Sequence, residues 1–303
     1  MATGDSTAIP DPAPEPRGGG SPTFGPAAPS VARLWYWSLR RELWEHRWTY
    51  IVPLIVAALF LLGFVIAAGS HSPHALAMSF DFASGAVMAA YVIITVIYCL
   101  EALHGERRDR SILFWKSLPV SDATTVVAKA GMPLLVLPLM TFAIIVVTQG
   151  IMLLEGSLVL IGRGVSAAAL WSQTPLLSMW AAMLYHLLTV HALYYAPIYG
   201  WLLLVSAWAR RAAFLWASLP IGAVLIIEHL VFNSSGFADL LLSRLGGGPA
   251  AIPFPPSSGM PMDAPTLGNL AAFLASPGLW VGLVIFASFL ALAARLRRYQ
   301  GPI

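Results

Sequence analysis

Residues 132–154 read MPLLVLPLMTFAIIVVTQGIMLL, a run without one charged side chain. A helix needs about 20 mainly apolar residues to cross the core of a bilayer, and this run has that length. Five more stretches share its character: residues 51–68, 82–103, 179–208, 214–232 and 279–296. Over the whole chain 58% of residues are hydrophobic and 10% charged, with a mean hydropathy of +0.76. Soluble domains do not have this composition. It predicts an all-α membrane protein with six transmembrane helices. The fourth stretch is long enough to tilt or to kink at Pro197, and Pro277 sits where a sixth helix would start.

The basic residues orient these spans. With a cytoplasmic amino terminus, only Arg163 and Arg244 of the 17 basic residues fall outside. That is the positive-inside pattern, and it predicts both termini in the cytoplasm. A pI of 9.2 then reflects topology and contact with anionic membrane lipid rather than nucleic-acid binding. Cys99 is the lone cysteine, so no intrachain disulfide is possible; within an apolar run it reads as a small core residue.

Residues 1–30 are rich in Pro, Gly and Ala and lack the apolar core of a signal peptide. They read as a disordered cytoplasmic tail, ahead of a single membrane domain over residues 31–300. Residues 31–48 have helical periodicity. Leu34, Trp37, Trp44 and Trp48 share a stripe broken by Arg41 and bordered by Arg33, Arg40 and Arg47. Indoles favour the headgroup level and arginines reach for phosphates. The expectation is an amino-terminal interfacial helix on the inner leaflet, turning into the first span near Pro53. A short helix over residues 237–245 is expected in the large outer connection before the last span.

Charges are scarce, yet many fall in ERRDRSILFWKSLPVSD, residues 106–122, between the second and third spans. A short helix over residues 106–117 would stop at Pro119. Ser121 suits the N-cap of the next helix, with Asp122 in its first turn. Bulky groups ringed by arginines are the material of protein–protein hot spots. Composition alone leaves a docking loop and an amphipathic loop resting on lipid equally open.

The run Glu106-Arg107-x-Asp109-x-Ser111-Ile112-x-Phe114-x-x-Ser117-Leu118-Pro119-Val120-Ser121, followed by Lys129, resembles the first cytoplasmic loop of ABC-2 type transporter permeases. With Arg108, Arg110 and Phe114-Trp115-Lys116, it is most similar to bacterial permeases encoded beside an ATPase and a GntR-like regulator. The resemblance implies a transmembrane exporter subunit in the bacterial inner membrane. It would pair with a second copy of itself or a related permease and with a cytosolic ABC ATPase. ATP and Mg would sit on that ATPase, leaving no cofactor in this chain. The cytoplasmic coupling loop would contact the motor through Glu106, Arg107, Asp109, Arg110, Ser111, Phe114, Trp115, Lys116, Leu118 and Pro119. The family pattern has glycine where Arg110 stands, so a continuous helix is expected here in place of a tight turn. Independently, no Gly-x-x-x-x-Gly-Lys-Ser/Thr run occurs, so any ATPase activity must reside in a partner.

Polar residues inside spans mark candidate paths. His186, His191 and Tyr195 lie in the fourth span, where hydrogen bonding between helices is the competing reading. Glu228 and His229 close the fifth span as a candidate outer gate or a solvated helix end. Two other functions stay in view. One is an ATP-independent carrier or channel. The other is an intramembrane metalloprotease of the CPBP kind, built from Glu101, Glu106, His186 or His191, His229 and Asn233; it would need those groups to converge on one metal.

Overall fold

The computed structural model describes residues 31–69, 72–116, 120–246 and 267–299. Among the described residues every regular element is helical. The expected amino-terminal tail lies outside them. Six helices are long and apolar enough to cross a membrane: Trp48–Ala68, His74–Arg108, Asp122–Gly162, Ala168–Tyr194, Ala213–Phe232 and Pro277–Tyr299. This is the architecture of a multi-pass membrane protein.

Helix α1 (Val31–Glu45) and α2 (Trp48–Ala68) meet at a tight turn over His46 and Arg47. The Thr49 amide and hydroxyl both donate to the His46 carbonyl, at 3.0 and 2.7 Å. The turn therefore falls ahead of Pro53, where the bend was expected. The next helix, α3 (Pro73–Glu101), begins well before residue 82. Ser72 caps it, accepting from the Ala75 amide at 3.3 Å, and Pro73 occupies the first turn, where its missing N–H is harmless.

Two short helices follow, α4 (His104–Arg108) and α5 (Ile112–Lys116). Then α6 (Asp122–Gly131) runs through a π-helical segment, Met132–Val136, into α7 (Leu137–Gly162). Pro133 and Pro138 each withhold a backbone donor, and the ladder slips to a five-residue spacing, with the Leu137 amide on the Met132 carbonyl. The third span thus extends at both ends beyond residues 132–154.

After α8 (Ala168–Gln173) comes α9 (Leu176–His186), a second π segment, Leu187–Tyr194, and α10 (Ala196–Trp208). The distortion expected at Pro197 is displaced upstream. The Tyr195 amide reaches back to the Val190 carbonyl at 2.9 Å, and Pro197 sits in the first turn of α10. The chain closes with α11 (Ala213–Phe232), α12 (Gly236–Leu245), α13 (Leu267–Ala275) and α14 (Pro277–Tyr299).

Helices α2, α3, α7 and α8 share a core of Phe64, Phe80, Met152, Leu160 and Leu170. Gly156 lets the helices come close there: a Cβ would lie 2.9 Å from the Leu170 side chain, which would have to shift. A larger core of Tyr91, Tyr98, Leu137, Ile145 and Leu203 joins α3 and α7 to α10, and α14 packs closely on α10. A Cβ on Gly200 would stand 2.8 Å from the Phe286 ring, and Trp201 meets Phe289 at 5.8 Å between centroids. By contrast α11 is nearly bare, burying only Ala213 and Ala217.

Candidate functional site

The loop between the second and third spans is two helical turns joined at a left-handed residue. Arg110 has φ 58°, which replaces the continuous helix expected from Glu106 onward. The break makes a tight turn at Arg110. Holding an arginine in that region costs about 1 kcal/mol. The turn aims the two halves of the loop differently.

The outer half, α5, buries Ile112 and presents Leu113 and Phe114 at 58% and 60% exposure. Trp115 is half-buried, with the Arg41 guanidinium 4.0 Å over its ring. Asp109, Arg110 and Lys116 are exposed and Ser111 is partly covered. Ser117, Leu118 and Pro119 lie outside the described residues.

The inner half, α4, turns its charges into the protein. Arg107 is buried, and its Nη1 donates to the Ala207 and Ala209 carbonyls at 2.6 and 3.3 Å. Those carbonyls end α10 and have no helical donors of their own; a cation there also matches the helix dipole. The Ser206 hydroxyl accepts from the Leu103 and His104 amides at 3.0 and 2.9 Å. The loop is therefore rooted in the C-terminal end of α10.

Glu106 roots it a second time. Its Oε2 accepts from Arg297 Nη1 near the end of α14, and Lys129 Nζ lies 3.0 Å from its other oxygen. Lys129 also donates to both oxygens of Glu42, each at 3.0 Å. Glu42 accepts from Arg41 at 2.7 Å and from the Tyr98 hydroxyl at 2.9 Å, while Arg297 Nε donates to Asp122 at 3.0 Å. Exposure is 0% for Glu42 and Lys129, 6% for Glu106 and 4% for Arg297. Three acids (Glu42, Glu106, Asp122) thus face three bases (Arg41, Lys129, Arg297). Buried charge is tolerated only when paired in this way.

Burial pushes the Glu42 carboxyl up, but Lys129 and Arg41 beside it outweigh that and bring it down to about 2. The His46 imidazole moves down because it is buried, with the Glu42 charge only partly opposing. Directly against the ion cluster, Leu103, Val126, Ala207 and Ala293 form an apolar cluster joining the loop to α6, α10 and α14.

No protein-family profile, curated protein or solved structure matches this chain. The site must therefore be read from its own geometry.

On α1, Trp37 and Trp44 face outward at 50% and 62% exposure. Arg40 lies between them, 5.1 and 5.2 Å from their rings, and Arg41 turns inward to the ion cluster.

Within the spans, His191 touches the rings of Tyr91, His186 and Tyr195 at 5.6, 4.9 and 5.0 Å. This ladder brings the three expected path residues together at the meeting of the two π segments, where the Tyr91 hydroxyl donates to the Pro133 carbonyl. Tyr195 donates to the Leu245 carbonyl of α12. Glu228 accepts from the Phe237 amide at 2.9 and 3.0 Å, so it holds the start of α12, while His229 is exposed.

The residues required for an intramembrane protease do not come together. Among the described residues the one His/Cys/Asp/Glu group within ligand reach is Glu42, Glu45 and His46, and Glu42 is already committed to Lys129 and Arg41.

Several residues that organise the site were not singled out from the sequence: Glu42 and Tyr98 in the ion cluster, and Gln149 in the membrane. From the sequence Lys129 belongs to the loop pattern and Arg297 is a topology marker. The available signal was a lone lysine in an apolar run before a span. Gln149 donates to Ser84 Oγ at 2.7 Å and the Phe80 carbonyl at 3.2 Å, and accepts from Trp180 at 2.7 Å. It ties α3, α7 and α9 together.

Proposed function

We infer that this chain is the membrane subunit of an ATP-driven exporter of the ABC-2 permease kind, working with a separate cytosolic ATPase. One observation carries the reading: the two-part loop, with exposed Leu113 and Phe114 on α5 and a charged inner half buried in the spans. A loop that merely rested on lipid would not need three buried ion pairs behind it. An exposed apolar foot on a rigid root is what transmitting a push requires. The resemblance of the Glu106–Ser121 sequence supplies the identity of the pusher. The absence of a P-loop from the sequence agrees with an energy source elsewhere.

In this account ATP and Mg bind the partner ATPase, whose closure presses on α5. The spans respond and open a path for an amphipathic substrate, with His186, His191 and Tyr195 beside it. The helix α1 lies on the inner leaflet, where Trp37, Arg40 and Trp44 meet lipid. The protein sits in the bacterial inner membrane with both termini cytoplasmic, as a dimer with itself or a related permease.

The test is co-purification of the full chain with an ATPase encoded beside it, comparing wild type with Phe114→Ala/Trp115→Ala. Binding and ATP hydrolysis that are lost in the variant support the reading. An ATPase that never binds, or binds the variant equally well, removes it.

A further inference from the structure

We propose that Arg107 and Arg297 are positioning residues that pass displacement of the loop to the α10–α14 pair, so that loop and last span move as one body. This rests on the loop being the partner's docking point. By chain connectivity alone a push on the loop would act on α3 and α6, its covalent neighbours. The side chains add a further connection. Arg107 holds the carbonyl end of α10, and Glu106 and Asp122 grip Arg297 from both sides.

Each tie is dry. Arg107 is 6% exposed, Glu106 6% and Arg297 4%, so water does not replace a broken bond and the ties resist stretching. The far side of the joint is also stiff. Gly200 lets α10 and α14 approach until Phe286 is in contact, and Ala207 and Ala293 share the apolar cluster with Leu103. Helices α2, α3 and α7 close around a separate core at Phe64, Phe80 and Met152, and a larger core of Tyr98, Leu137 and Leu203 joins α3 and α7 to α10. The loop is therefore clamped to α10 and α14, which are not its sequence neighbours, as well as to α6 through Lys129.

Spin labels on introduced cysteines test this in nanodiscs, because native Cys99 is fully buried and leaves the new thiols as the labelled sites. One pair is Arg108→Cys with Tyr299→Cys, reading loop to α14. The second is Arg108→Cys with Ile66→Cys, reading loop to α2. In complex with the neighbouring ATPase, nucleotide trapping is expected to shift the loop–α2 distance and leave loop–α14 unchanged. In Arg297→Gln the loop–α14 distance should shift as well. Arg295→Gln, an exposed charge on the same helix, should behave as wild type.

A loop–α14 distance that shifts in wild type, or that Arg297→Gln leaves as fixed as before, overturns the proposal. If Arg297→Gln does not fold, Arg297→Lys keeps the charge without the fork that spans Glu106 and Asp122, and the same two outcomes apply. If no ATPase binds, the functional reading fails separately. The chain alone then decides, since the clamp predicts a narrow loop–α14 distribution that Arg297→Gln broadens, and an unchanged width refutes it.

Discussion

Replacing Lys129 by methionine keeps a long unbranched side chain and removes one charge from the centre of the ion cluster. Glu42 then retains Arg41 at 2.7 Å and the Tyr98 hydroxyl at 2.9 Å, and Glu106 retains Arg297. Two pairs at 3.0 Å are lost. At an effective dielectric of about 20, each such pair is worth about 4 kcal/mol before desolvation. The buried ammonium itself is unfavourable by several kcal/mol, so the net loss on breaking the cluster should be about 3–5 kcal/mol.

A second route gives a similar figure. The Glu42 carboxyl falls from 4.5 to about 2 on folding, which by linkage is about 3 kcal/mol. Its folded pKa is depressed, so this contribution is complete above pH 4.5 and is lost as pH falls through about 2. Reversible unfolding in detergent, followed by tryptophan fluorescence, reads both effects. Lys129→Met should lose several kcal/mol at neutral pH, and its stability should fall less steeply over that acidic window. Adding Glu42→Gln should recover part of the loss, because two acids and two bases remain. A loss below about 1 kcal/mol, the value of an exposed pair, would refute the reasoning. So would an unchanged acid profile.

Gly200→Leu forces atoms into the space held by Phe286 and should destabilise by about 1–3 kcal/mol, while the same change at Gly222, which has open space around it, should be nearly silent in the same unfolding assay. Gln149→Leu removes the polar tie among α3, α7 and α9 and should lose about 1 kcal/mol, with faster proteolysis near Trp180 as a second readout. Trp115→Ala should lose about 1 kcal/mol through its contact with Arg41. Phe114→Ala, at 60% exposure, should stay within about 0.5 kcal/mol of wild type; a larger change would place Phe114 in the fold rather than on a docking face.

The number of spans was legible because lipid demands uninterrupted apolar runs, and no tertiary contact can stand in for them. Their ends were less so. The Ser72-Pro73 start of α3 and the Ser121 cap of α6 are both local signals, but only the second adjoins a charged loop and a proline stop that mark the boundary. Pro133, Pro138 and Pro197 announce disturbed helices. Where the ladder slips depends on how the two π segments meet, which is a tertiary matter.

Arg110 shows the limit of reasoning from residue type. Helix propensity favours continuing through it, and the burial of Ile112 and Glu106 on either side overrides that preference. The ion cluster was illegible for a plainer reason. Lys129 meets Glu42 across 87 residues of sequence, and Arg297 meets Glu106 across 191. Each looked like a topology marker when taken alone. The ladder of His186, His191 and Tyr195 was found because intramembrane imidazoles are rare enough to stand out.

The most direct test of a docking loop is photo-crosslinking from the foot itself. With Phe114 replaced by p-benzoylphenylalanine in the full chain and irradiated in cells, the account predicts a crosslink to a P-loop ATPase. The crosslink should be absent when the same group stands at Leu230 on the bare face of α11. Crosslinking from position 114 to lipid alone, with the ATPase present and expressed, would contradict it.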